Sequence, residues 1–243
     1  MTTDINDQLV LISGQSATGK SASLQNMRNQ ERWIYLGCEA GKRLPFKNKF
    51  ESFTITDPYQ VYEAFEHMEN NPDKYDGLII DTQTFLMEMF ESMYVIGSAD
   101  TMKGWSDYAQ FFKNLMQGHV ARSDKAVIVM AHTLDVYNEA TLSTDTKVPV
   151  KGALKNNGIE SYFSTVVSTK KISLKNLEDY ESGLLNITPQ DEMLGYKHVF
   201  QTQLTKATVG DRIRSPMGMF TTPQTFMDND AQSLLDHLVE YYA

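Results

Sequence analysis

The sequence predicts an α/β fold in which a mostly parallel central sheet is flanked by helices. Residues Gly14-Gln15-Ser16-Ala17-Thr18-Gly19-Lys20-Ser21 match G-x-x-x-x-G-K-[ST] at every fixed position. The match sits between the apolar run Leu9-Val10-Leu11-Ile12 and the segment Ala22-Ser23-Leu24-Gln25-Asn26-Met27, which can be helical. At average glycine usage, a chance match in a chain this size is about one in a hundred. Further along, short apolar runs alternate with amphipathic stretches, the pattern of βαβ units.

Each element follows in order. The first strand ends in the loop, and a helix is expected from about Ser21 to Arg28. Trp33-Ile34-Tyr35-Leu36-Gly37-Cys38 reads as a second strand and Phe53-Thr54-Ile55-Thr56 as a short third. Asp57-Pro58 starts a helix that places Val61, Tyr62, Phe65 and Met68 on one face. Gly77-Leu78-Ile79-Ile80 is a buried strand. Trp105, Tyr108, Phe111, Phe112, Leu115 and Met116 mark a long amphipathic helix. Ala126-Val127-Ile128-Val129-Met130 is the next buried strand, and Ser161-Tyr162-Phe163 leads into Val166-Val167-Ser168-Thr169. A last strand pair is expected over 198–204 and around Ile213, within a β-hairpin extension at about 172–220. A helix closes the chain at about 231–242.

Composition bounds the class. A chain of 243 residues, 41% hydrophobic and 22% charged, fits one soluble α/β domain spanning 1–243. No apolar stretch reaches the length of a membrane span, so no membrane is expected as a partner. Met1-Thr2-Thr3-Asp4 has neither the basic start nor the apolar core of a signal peptide. The single Cys38 excludes an internal disulfide or a cysteine-based metal cluster and points to a reducing cytoplasm. A net charge of −9 argues against a general basic coat but leaves room for a local basic groove.

The loop motif implies a nucleoside triphosphate, taken here as ATP, with Mg²⁺. Gly14 and Gly19 let the backbone wrap, so that N–H groups from Gln15 through Ala22 face phosphate oxygens. Lys20 would neutralise the β- and γ-phosphates and the Ser21 hydroxyl would ligate Mg²⁺. Leu78-Ile79-Ile80-Asp81 supplies an acidic residue at a strand end, as the partner that holds the magnesium. Glu39, after the next strand, and His132, after another, would reach the same crevice, because parallel strands present their C-termini along one edge. Glu39 there can orient or deprotonate the attacking water; the same carboxylate could instead cap a turn. His132 can sense the γ-phosphate, or simply pack.

This order of parts resembles the RecA/RadA-like ATPases: a P-loop, a strand ending in Glu, a strand ending in Asp-Ser/Thr, then one ending in Gln or His before a long flexible loop. Lys151-Gly152-Ala153-Leu154-Lys155 through Tyr162-Phe163-Ser164 to Lys170-Lys171 is similar to their post-loop helix and strand, and 205–216 to their last core strands. Glu39-Ala40-Gly41-Lys42-Arg43-Leu44-Pro45-Phe46-Lys47 and Pro216-Met217-Gly218-Met219-Phe220 resemble stretches of small phage Sak-type ATPases that accompany single-strand annealing. The resemblance implies a RecA-like P-loop NTPase core, an ATPase acting on single-stranded DNA in recombination, annealing or replication, and the cytoplasm of a phage-infected host. It also implies self-association into a ring or filament, with a single-strand-binding protein as a further partner. Only a few residues precede Leu9, where full-length recombinases carry an oligomerising segment; filament formation, and strand exchange with it, is the part of the resemblance that this departure bears on.

By the same analogy DNA would meet two loops. One lies around Met93 to Lys103; the other is a flexible loop from about Asp135 to Asn157 holding Lys147, Lys151 and Lys155. Asp135, Glu139 and Asp145 work against that electrostatics. Arg212 and Arg214, two apart, would share one face of a strand and could reach a neighbouring subunit's γ-phosphate as an arginine finger, with Lys206 a third candidate. Two alternatives remain open: a P-loop switch or motor protein that binds a protein partner, such as a helicase loader, and a nucleotide or small-molecule kinase. A kinase would want an arginine-rich lid and an acceptor pocket, whereas arginines are only scattered between the P-loop and Arg212.

Overall fold

The computed structural model describes residues 5–39, 41–139 and 142–243; the start read above for a signal peptide, Met1-Thr2-Thr3-Asp4, lies outside them. In chain order the strands are β1 (Leu9–Gly14), β2 (Trp33–Gly37), β3 (Glu51–Thr54), β4 (Gly77–Asp81), β5 (Ala126–His132), β6 (Leu134–Asn138), β7 (Ser143–Lys147), β8 (Thr165–Ser173), β9 (Tyr196–Gln201) and β10 (Phe226–Asp228). The helices are α1 (Gln60–Glu69), α2 (Gln83–Phe90), α3 (Thr101–Asn114), α4 (Pro189–Leu194) and α5 (Ala231–Tyr242). Eight strands form one sheet in the order β10-β9-β8-β1-β5-β4-β2-β3, while β6 and β7 pair as a separate antiparallel hairpin. From β8 to β3 all six strands are parallel, and β9 and β10 extend the sheet antiparallel.

Strand periodicity sorts the core into two layers. Leu11, Leu36, Ile80 and Val129 face one side, where α1, α2 and α3 cover them with Phe65, Phe90, Phe111 and Phe112. Val10, Ile12, Ile79 and Met130 face the other, covered by Leu24, Met27 and the α5 residues Leu234, Leu235 and Leu238. Each of those buried phenylalanines contributes about 3–5 kcal/mol against truncation to Ala. Asp100 caps α3 and Asp230 caps α5, accepting from the N–H of Lys103 and Ser233 at 3.0 Å. Among the described residues no helix is long and apolar enough to cross a membrane.

Four expectations need correction. The helix expected from Ser21 to Arg28 is a single 3₁₀ turn, Ser21–Leu24. Ser23 Oγ bonds back to Lys20 O, and the next residues are tied to the C-terminal helix through Asn26–Asp230 and Arg28–Asp236 bonds, which draw the chain off a helical path. The third strand lies two residues earlier than expected. The loop from Asp135 is not irregular: it opens with the β6–β7 hairpin, in register from Leu134↔Lys147 to Asn138↔Ser143. The partner of β9 is β10, and the stretch around Ile213 makes isolated bridges, Val166↔Arg214 and Thr146↔Asp211.

Candidate functional site

The sheet order places β5 between β1 and β4, so three strand ends that carry chemistry lie side by side. Gly14 is in register with His132, and Gly37, two residues before Glu39, with Asp81. The crossing from β1 passes through the loop 15–20. There Gly19 adopts φ +109°, and a Cβ on it would stand 2.7 Å from Asn229 Nδ2. A side chain on Gly14 would overlap Thr169 Oγ1 and stand 2.9 Å from Thr18 Oγ1. Both glycines are therefore required by close approach as well as by conformation. The N–H groups of Ser16, Ala17, Gly19 and Lys20 take no hydrogen bond among the described residues, which leaves a row of donors open to an anion.

Lys20 is buried, with Nζ donating to Gly14 O at 2.9 Å and Gln15 O at 2.8 Å and lying 3.2 Å from His132 Nδ1. Burial pulls its pKa down to about 8, against the opposing pull of Asp81. Both carbonyls are neutral, so an incoming phosphate oxygen is the stronger partner for this ammonium.

Ser21 Oγ donates to Asp81 Oδ2 at 2.8 Å, and Tyr35 OH donates to the same oxygen at 2.8 Å. Asp81 Oδ1 is buried with no partner. A carboxylate with one oxygen fixed by two donors and the other unpaired beside a serine hydroxyl fits a hard divalent cation, which takes its remaining ligands from water and substrate phosphates. Among the described residues no group of three or more His, Cys, Asp or Glu is placed to hold a metal ion by itself. Burial and the Asp81 charge both raise the Tyr35 pKa, so its hydroxyl stays a donor.

Glu39 stands across the His132 ring from Lys20. His132 Nε2 lies 3.3 Å from its Oε1, and Lys42 forms an ion pair with Oε2. Burial works to raise its pKa, but bonds to Lys42 and His132 bring it below the usual value, so it is a carboxylate. His132 has a lowered pKa, first through burial and then through Lys20, and is a neutral imidazole bridging Lys20 and Glu39. Its backbone N–H is held by Thr84 Oγ1 at 2.9 Å. The cavity, about 360 Å³, is lined by Ser16, Ala17, Gly19 through Ala22, Glu39 and His132, together with residues from distant parts of the chain.

The remaining sequence-nominated residues lie away from it. Arg212 donates to Glu160 Oε2 at 3.3 Å and Asn157 O at 3.4 Å; Arg214 and Lys206 are exposed. Arg212 and Arg214 flank the buried Ile213. Lys147 is half-buried at the end of β7, Lys151 bonds both Glu91 oxygens, and Lys155 is exposed. Residues 93–95 and 101–103 of the other nominated loop are helical.

Several site residues carried no sequence signal. Tyr35 read as an ordinary strand aromatic. His198 Nδ1 donates to Thr18 O at 2.7 Å and Asn229 Nδ2 to Gly19 O at 2.8 Å, so the C-terminal part of the chain fastens the phosphate loop from 180 and 210 residues away. Gln15 Nε2 donates to Asp135 Oδ2 at 2.7 Å, which joins the loop to the β6–β7 hairpin. A family profile described as an AAA domain matches residues 6–210. No curated protein matches the chain.

Proposed function

The chain belongs to the AAA domain family of P-loop nucleotide-binding ATPases, and from that premise we propose that it hydrolyses ATP with magnesium and couples the reaction to single-stranded DNA. The observation that carries the hydrolysis is the convergence of Lys20, the Ser21–Asp81 pair and the Glu39–His132 pair on one sheet edge. Open N–H groups of the loop and Lys20 bind the β- and γ-phosphates. Ser21 and Asp81 hold the magnesium, which when bound neutralises charge on those phosphates. Glu39 accepts a proton as water attacks the γ-phosphorus and the bond to the bridging oxygen breaks. His132 relays occupancy of the γ-position to the hairpin that begins two residues later.

The DNA part of the proposal draws on the resemblance to RecA-like ATPases and on the Gln15–Asp135 bond, which ties the hairpin to the phosphate loop. Lys155 and Lys147 are the cations offered there, with Lys151 if Glu91 releases it. The proposal extends to ring or filament assembly and to action beside a single-strand-binding protein in an infected cell's cytoplasm. One observation favours the reading as a switch for a protein partner: Leu134, Tyr137 and Leu142 on the hairpin are 54%, 60% and 77% exposed.

Phosphate release measured with and without a single-stranded oligonucleotide separates these. Salt-sensitive binding with accelerated turnover is expected. Turnover unaffected by DNA, with no DNA bound at low salt, would favour the protein-partner reading.

A further inference from the structure

We propose that Lys42 and Arg43, on the loop after β2, are triphosphate-binding residues that act in cis, so that each chain completes the charge of its own site. The inference rests on the nucleotide reading above and extends it to residues outside the phosphate loop. Both side chains line the cavity that contains Lys20, Ser21, Glu39 and His132. Arg43 is exposed and makes no hydrogen bond or ion pair among the described residues. Its guanidinium is a planar set of donors beside the loop that binds phosphate, suited to two oxygens at once. Lys42 is near enough for its charge to act on both Lys20 and His132.

Arg212, in contrast, is occupied by Glu160 and Asn157, and neither Arg212 nor Arg214 lines this cavity. Lys20 alone is one positive charge against a triphosphate that carries several. Lys42 and Arg43 are two further cations that line the same space.

Lys42 has a further part. It is paired with Glu39, and its side chain is 56% exposed against 14% for the carboxylate. The lysine is therefore the member of the pair with open space to turn into. A triphosphate presents more oxygens and more charge than one carboxylate, so Lys42 turns to the phosphates and leaves Glu39. The freed carboxylate then has an open lone pair for the attacking water. Before substrate arrives, the group that takes the proton is covered; substrate itself uncovers it. No covalent step is added to the hydrolysis.

The test uses the full chain with Lys42→Ala, Arg43→Ala and Arg43→Lys. Inorganic tripolyphosphate is the binding probe, followed by calorimetry, with ATP turnover measured in parallel. Both alanine variants are expected to bind tripolyphosphate roughly tenfold more weakly or worse, the scale of one charge-assisted hydrogen bond. Arg43→Lys should recover part of that loss. Thermal midpoints without ligand should match wild type, because both side chains are exposed. Arg43→Ala mixed with Lys20→Ala should show no recovered turnover, since neither chain has a complete site. Wild-type affinity and turnover in both alanine variants would overturn the proposal, and so would recovery on mixing, which would place Arg43 in a neighbour's site. If wild type fails to hydrolyse ATP while tripolyphosphate affinity still depends on both residues, the hydrolysis reading falls and the cation assignment stands.

Discussion

Replacing Tyr35 by Phe removes a single oxygen and tests how the metal carboxylate is held. That hydroxyl lies 2.8 Å from Asp81 Oδ2, the oxygen that also accepts from Ser21 at 2.8 Å. The phenyl ring keeps its stack on Phe50, at 6.0 Å between centroids, so the fold has no reason to change. A hydrogen bond to a charged acceptor contributes about 1.5–3 kcal/mol. If all of it bore on metal binding, the loss would be about 10- to 100-fold, which is also the scale for groups that orient metal ligands. Ser21 still holds the same oxygen, so the lower figure applies, about tenfold. Free and bound Mn²⁺ can be counted by electron paramagnetic resonance in the presence of ATP, beside the magnesium concentration for half-maximal phosphate release. Metal-free ATP binding should be unchanged, because Lys20 and the loop amides are untouched. A half-saturating metal concentration within twofold of wild type would refute the argument that Tyr35 positions Asp81.

Glu39→Gln should cut turnover roughly a hundredfold while ATP binds as well as before or better, since Lys42 loses its competing partner; turnover within a few-fold of wild type would assign the water to another group. Lys20, with its pKa lowered to about 8 mainly by burial, gives a pH signature. Phosphate needs the ammonium, so above pH 8 the free protein must take up a proton to bind. Affinity should then fall by up to about tenfold per pH unit while staying level well below that pH; calorimetry in two buffers of different ionisation enthalpy reads the proton directly, and no uptake at pH 9 would contradict it. Gly77→Ala should destabilise the fold by about 1–3 kcal/mol, because a Cβ there overlaps the Trp33 ring and meets Ala126 O at 2.6 Å; an unchanged denaturation midpoint would go against the packing described.

The parts that were legible in sequence are local ones. The P-loop is a contiguous pattern, and strands β2, β4 and β5 announce themselves as apolar runs whose last residues fix Glu39, Asp81 and His132 near one edge. Two kinds of feature were not legible. Strands without a buried face hide their structure: Leu134–Asn138 leaves Leu134, Val136 and Tyr137 exposed and Ser143–Lys147 is polar throughout, so the two pair through backbone bonds rather than through a core-facing pattern. Ser21–Arg28 looked helical by position, yet Ser23 and Asn26 bond elsewhere. Contacts set by topology were also invisible. Tyr35 reaches Asp81 only because β2 and β4 are neighbours, and Arg212 is drawn to Glu160 across the chain rather than left free. His198 and Asn229 bond the phosphate loop for the same reason, and no spacing rule connects them.

Phosphate release at saturating ATP, by wild type with magnesium, by wild type with chelator, and by folded Lys20→Ala and Asp81→Asn, tests the central claim most directly. The arrangement of Lys20, Ser21 and Asp81 predicts turnover only in the first, with the others lower by at least about a hundredfold. Equal turnover without divalent metal, or wild-type turnover in Lys20→Ala, would contradict it.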